Sequence, residues 1–180
     1  MAIYGKYYDA VNSGNVYLGL TAAAGTTIPL ASGTAMTFGV WNISSTHNVV
    51  LLKLNAVFTS GTIAIGGFGI TAMSAGQAIG TPISAFTDGV FGTTIFNAKL
   101  GWGAPRARFT PSAATIAAST SKYWTGIGFT TAATDGPALH FSHDFDGSLI
   151  LPPGWAGFLS ASIAQTGLLS PTIMWAEVPA

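Results

Sequence analysis

His47-Asn-Val-Val-Leu-Leu-Lys-Leu-Asn-Ala-Val-Phe58 is the stretch that decides the fold. It is long, rich in branched apolar residues and fenced by Thr59-Ser-Gly61, the pattern of a strand rather than of a helix. On its N-terminal side, Met36-Thr-Phe-Gly-Val-Trp-Asn42 sets Met36, Phe38 and Val40 on one face of another strand, and Ile43-Ser-Ser-Thr46 turns between the two. On its C-terminal side, Thr62-Ile-Ala-Ile-Gly-Gly-Phe-Gly-Ile70 is expected to return as a hairpin through Ser60-Gly61. The glycines of that return strand point to a bulge or to the close approach of another chain.

Further out, residues 71–92 read as a long loop and Thr93 to Leu100 as a strand. Gly101 to Pro111 is a second irregular excursion, and the Ala-rich piece Ser112 to Ser121 is expected to form a helical turn. Lys122 to Thr131 is a strand, and Gly147 to Leu151 is another that ends at Pro152-Pro153-Gly154. Trp155 to Ala164 alternates through Phe158, Ser160 and Ser162, and Ser170 to Val178 closes the chain with Ile173 and Trp175. Helical periodicity is nearly absent, because Glu, Lys and Arg barely occur and Gly or Pro interrupts most windows. About eight strands with two long connections predict an all-β, two-sheet jelly-roll sandwich over residues 36–180. Residues 1–35 show only short strand hints, at Asn15 to Leu20 and Thr26 to Leu30, and are expected to form an extended N-terminal arm with one added strand.

Charge is scarce: 6 Lys and Arg and 6 Asp and Glu make 7% of 180 residues, against about 25% in an ordinary domain. A monomer covers its surface with far more charge than that. The chain is therefore expected to bury much of its outside against copies of itself or a large partner, as a structural assembly protein does and a soluble enzyme does not. With a formal net charge of zero there is no basic excess for phosphates or anionic lipid, so neither nucleic acid nor membrane is an expected direct partner. The absence of Cys excludes disulfides, zinc thiolates and thiol catalysis, and fits folding in a reducing cytosol. Met1 to Gly14 lacks the apolar core of a signal peptide, and the uncharged stretches 10–52, 54–87 and 147–176 are too often broken by Gly, Ser, Thr, Asn or Pro to span a bilayer.

Two stretches carry a resemblance. Phe38-Gly-Val-Trp-Asn-Ile-Ser-Ser-Thr-His-Asn-Val-Val-Leu-Leu-Lys-Leu54 resembles a pattern in structural proteins of tailed-phage (bacteriophage) virions: a strand ending in Asn, a small-residue turn, and a long apolar strand returning through a Lys or Arg. Gly147-Ser-Leu-Ile-Leu-Pro-Pro-Gly-Trp155 through Ile173-Met-Trp-Ala-Glu-Val-Pro179 is similar to the C-terminal strands of the same proteins. The resemblance covers roughly Met36 to Leu54 and Gly147 to Pro179, and nothing in 71–146. It implies a jelly-roll virion protein made in the host cytoplasm: a capsid decoration (cement) protein, head fibre or tail component, usually a homotrimer bound to the major capsid protein or other virion proteins. A tail-fibre or receptor-binding knob is the alternative within that class. A carbohydrate-binding module or glycan-active enzyme is the alternative outside it.

The dense polar segment is Asp135-Gly-Pro-Ala-Leu-His-Phe-Ser-His-Asp-Phe-Asp-Gly147. His140, His143, Asp144 and Asp146 are residue types that ligate Zn, Mn or Ca, yet in a strand His140 and His143 point to opposite faces. The segment is read as a polar contact patch between subunits, with no metal, no cofactor and no catalytic residue assigned. There is no Gly-x-Ser-x-Gly element, and the glycines at 66–69 and 101–103 lack the following helix and Lys of a phosphate loop. Trp41, Trp124, Trp155 and Trp175 lie on strands and are expected in the core, whereas Trp102, in a Gly-rich loop, is the expected exposed anchor. Arg106 and Arg108 are expected to pair with Asp135, Asp144 or Asp146 of a neighbouring subunit. Tyr4, Tyr7, Tyr8 and Tyr17 mark the arm as a docking segment rather than a charged disordered tail.

Overall fold

The computed structural model of the chain describes residues 6–74, 83–112, 114–116, 122–130 and 140–180. One short helix, α1 (Tyr8–Asn12), precedes fourteen strands among these residues. They are β1 (Val16–Leu20), β2 (Thr26–Thr27), β3 (Ala35–Met36), β4 (Gly39–Trp41), β5 (His47–Ser60), β6 (Gly66–Ser74), β7 (Ile83–Ser84), β8 (Ile95–Asn97), β9 (Arg108–Thr110), β10 (Ala114–Ile116), β11 (Lys122–Thr130), β12 (His140–Leu151), β13 (Trp155–Ala161) and β14 (Leu168–Pro179). The protein is an all-β sandwich of antiparallel sheets, as the sequence predicts.

The first sheet runs β12-β5-β14-β1-β8, with β2 paired to β14, and the second runs β11-β6-β13-β4-β9. Alternation along β5, β6, β13 and β14, with one irregularity at Leu52 of β5, places Leu51, Leu54, Phe68, Ile70, Leu159, Ile173 and Trp175 in one shared core. Rings meet across it: Phe68 lies 5.4 Å from Phe141 and Phe109 lies 6.0 Å from Trp175, both stacked. Through β1, β4, β5, β6, β11, β12, β13 and β14 the chain changes sheet at every step but one, the step from β6 to β11. Hence the residues after β5 make no hairpin. β5 pairs with β12 and β14 while β6 pairs with β11 and β13, so the turn at Gly61 is an arch between sheets. The reason is burial: the apolar faces of β5 and β6 must pack on each other, and two strands side by side in one sheet cannot do that.

Two further expectations change. Ala114–Ile116 is not helical; it is the middle strand of a small sheet, β3-β10-β7. That sheet lies on the outer face of the second sheet and seals a satellite core of Met36, Trp41, Met73, Ile83, Ala156 and Phe158. The strand hint at Asn15 to Leu20, expected as an addition within an arm, is β1, and it is built into the sandwich. β1 sits inside the first sheet, hydrogen-bonded to β14 on one side and β8 on the other, with Val16 and Tyr17 buried. The short alternation Val-Tyr-Leu-Gly-Leu marks a strand in the sequence but not its inner place, which pairing with β14 and β8 decides.

Candidate functional site

Three places gather the chemistry-bearing side chains. The first is a clasp between the N-terminus and β12. Asp144 of β12 faces Lys53 of β5, and Leu149 faces Leu51, so the intervening residues of β12 bulge out of the ladder. Asp146 and Gly147 at the bulge both have positive φ (52° and 77°). Lys6 forms ion pairs with Asp144 (3.2 Å) and Asp146, and the Tyr7 hydroxyl donates to Asp144 and lies 3.3 Å from the Leu52 carbonyl. Burial and the neighbouring Asp144 carboxylate push the Tyr7 phenol up to about 12. The Tyr7 hydrogen bond, then Lys6, holds Asp144 below the usual carboxylate range. The clasp fixes α1, whose flank (Tyr7, Ala10, Val11) covers Val16, Val50, Leu52, Met174 and Ala176 on the outer face of the first sheet.

The second place is the excursion at 98–111. Asn97, buried, donates to the Gly14 carbonyl (2.7 Å) and accepts from the Lys99 amide (2.9 Å). The Lys99 ammonium stands 3.9 Å above the Trp102 ring. Glu177, buried in β14, accepts from the amides of Arg106 and Ala107 (each 2.9 Å) with the Arg106 guanidinium at 3.7 Å. Arg108 makes a bidentate pair with Asp88 (2.7 Å for both bonds) and lies over the rings of Phe86 and Trp41.

The third place is the flank where β11 and β12 end their sheets. Tyr123 stacks on Trp155 at 5.9 Å beside an apolar cleft of about 350 Å³ lined by Ala72, Tyr123, Leu149, Ile150, Pro152 and Trp155. Trp124 and Phe129 stand exposed on the outer face of the second sheet.

The sequence-derived site residues therefore separate. Tyr7, Asp144 and Asp146 come together. His140 is exposed on the outer side of β12, while His143 is half-buried with its ring edge-on to Phe145 at 4.7 Å, so the four-residue set at 140–146 does not converge. Among the described residues no three of His, Asp or Glu are grouped to hold a metal ion. Tyr8 is exposed, Tyr17 is a core residue with its ring tilted against Trp175, and Trp102 is half-exposed beneath Lys99. Within the chain Arg106 and Arg108 are matched by Glu177 and Asp88, and Asp144 and Asp146 hold Lys6. Tyr4 and Asp135 lie outside the described residues. Trp41 and Trp175 are buried as expected, but Trp124 is not. The signal that would have found it is the glycine run opposite: an indole lying across Gly67 and Gly69 needs strands without side chains beneath it.

Comparison with family models, curated proteins and solved structures finds no match to this chain.

Proposed function

We propose that this chain is a non-enzymatic structural protein of a phage-like particle, a capsid decoration (cement) protein that works as a homotrimer on the major capsid protein. The observation that carries the reading is apolar surface left bare on a chain with 7% charged residues: Trp124 and Phe129 stand exposed on the outer face of the second sheet. Such a surface is held out of water by a partner or it drives aggregation. The strand order supports the fold part of the reading. β1-β14-β5-β12 facing β4-β13-β6-β11, with β8 and β9 added at one side, is an order that an eight-stranded jelly roll would have.

The stretches behind the resemblance have clear structural tasks. The Asn42 side chain donates to the carbonyls of His47 (2.9 Å) and Leu151 (2.8 Å) and accepts from the Ser44 amide (3.1 Å), which fixes the turn before β5. Glu177, in the aromatic-x-Glu-x-Pro ending, anchors the excursion at 106–107. Many weak contacts, one set per copy, would then sum over the particle by multivalency.

A glycan-binding reading has less support. The cleft beside Tyr123 offers one phenol and otherwise apolar walls, whereas a sugar needs several hydrogen-bonding side chains. Immunogold electron microscopy with an antibody to the purified chain tests the proposal on particles from the producing culture. Label spread over the head is the expected result. Label at the tail tip points to the fibre-knob alternative, and particles without label overturn the virion reading.

A further inference from the structure

We propose that Asp146–Gly147 is a site of spontaneous covalent modification, at which the Asp146 side chain closes on the Gly147 amide and reopens as isoaspartate. The inference is independent of the function proposed above. It comes from a contrast between two identical dipeptides. Asp-Gly steps stand at 88–89, 135–136 and 146–147, and the first and last lie among the described residues. Glycine makes each a candidate, because no Cβ shields the nitrogen that must attack. The Asp88 and Asp146 side chains are nearly equally open to water, 55% and 59% exposed, so exposure does not separate them. Their anchoring does.

Asp88–Gly89 is locked at the atoms the reaction needs. Each oxygen of Asp88 accepts from the Arg108 guanidinium at 2.7 Å. The Gly89 nitrogen donates to the Phe109 carbonyl (2.7 Å). Around Gly89 there is no room: a Cβ there would stand 2.8 Å from the Phe109 ring and 2.9 Å from the Thr94 hydroxyl. Asp146–Gly147 lies where β12 leaves its ladder, between the Asp144–Lys53 and Leu149–Leu51 pairs. Both residues have positive φ, a region that strands do not occupy. A Cβ at Gly147 would meet only the Val50 side chain, at 3.5 Å, so the peptide has space to turn. The Lys6 ammonium, and the Tyr7 hydroxyl at 3.4 Å, both lie on Oδ1 of Asp146, and both belong to the N-terminal segment and not to a sheet. Lys6 is thus the main restraint on this carboxylate.

In the reaction the Gly147 nitrogen bonds to Cγ of Asp146, its proton and the carboxyl hydroxyl leave as water, and a cyclic imide forms. Water then opens the imide at one of its two carbonyls. Opening at Cγ restores aspartate; opening at the main-chain carbonyl leaves the chain running through Cγ, which is isoaspartate. No oxidant is consumed and the mass is unchanged. The main chain gains one carbon, which a bulge outside the ladder can absorb and a strand paired on both sides cannot. The freed carboxylate stands one bond closer to the main chain, out of place for Lys6, so ageing loosens the clasp.

Ageing of the full chain at neutral pH, followed by proteolysis and electron-transfer fragmentation of the separated peptides, tests this. Folded wild type and Lys6→Gln are compared with wild type aged in urea. We expect isoaspartate at 146 to exceed that at 88 by about tenfold or more in the folded chain, and the two to form at similar rates in urea, where no anchor survives. K6Q should raise the rate at 146 severalfold and leave that at 88 unchanged. Equal accumulation at 88 and 146 in the folded chain, or none at 146, overturns the site. An unchanged rate at 146 in K6Q overturns the restraint assigned to Lys6.

Discussion

The outer face of the first sheet has a cover and the outer face of the second is left half bare. On the first, α1 lies over Val16, Val50, Leu52, Met174 and Ala176, held at its start by Lys6 and Tyr7 on Asp144 and Asp146. On the second, β3, β7 and β10 cover Met73, Ala156 and Phe158 and stop, leaving Trp124 and Phe129 in solvent. Chemistry follows the same division. The cover of the first face is fastened by charge, and three of the chain's few ionic side chains are used there. The strands of the bare part of the second face hold one charged residue, Lys122 at the start of β11. A face closed from within needs a fastening; a face to be closed by another molecule needs a matching surface.

Removing residues 1–32 should break the comparison outright. It takes the cover and β1 together, splitting the β14-β1-β8 ladder and opening the core at Tyr17. We expect no cooperative thermal transition and loss of near-ultraviolet dichroism. A truncated chain that melts like the full one would show that β1 is dispensable. Removing only residues 1–12 leaves β1 in place and makes the first face as bare as the second. By the area law the lost contacts cost about 2–4 kcal/mol in urea denaturation, and the variant should also self-associate more tightly than wild type. Gly69→Ala sharpens the other side. The new methyl meets Trp124 and the Thr125 carbonyl, so overpacking should cost about 1–3 kcal/mol and shift the tryptophan fluorescence as the indole is displaced.

The smallest effect is at the clasp. The Tyr7 phenol is raised from 10.0 to about 12, so its contribution is complete below pH 10 and is lost as pH rises toward 12. Asp144 is depressed, so its contribution is present above the ordinary carboxylate range and is lost as pH falls through the lower folded value. Spectrophotometric titration of tyrosinate should therefore lose its latest-ionising component in Tyr7→Phe, with little change in stability at neutral pH, because the pairs are exposed. A component near pH 12 that persists in Tyr7→Phe would assign it to another tyrosine.

Much of the architecture is readable in the chain itself. β5, β13 and β14 declare themselves through branched apolar alternation, and Asn42 through a strand that stops at a small-residue turn. The small strand β10 does not: Ala-Ala-Thr-Ile is neutral between helix and strand, and pairing with β3 and β7 decides it. The candidate site was readable in part. Asp144 and Asp146 stand out by composition, but their partners Lys6 and Tyr7 lie more than 130 positions away. Glu177 and Asp88 were invisible as partners of Arg106 and Arg108, because no local spacing links them.

By itself the sequence determined the all-β class, the scarcity of charge and the positions of the longest strands, since each depends only on composition or on period-two alternation over neighbouring residues. Tertiary structure alone decided that β5 and β6 belong to different sheets, that Val16–Leu20 is an inner strand, and that Trp124 faces water while Trp175 is buried. Alternation tells which side chains share a face. Whether that face meets a core, a cover or solvent depends on contacts between residues far apart in the chain, and those are set by packing and not by pattern.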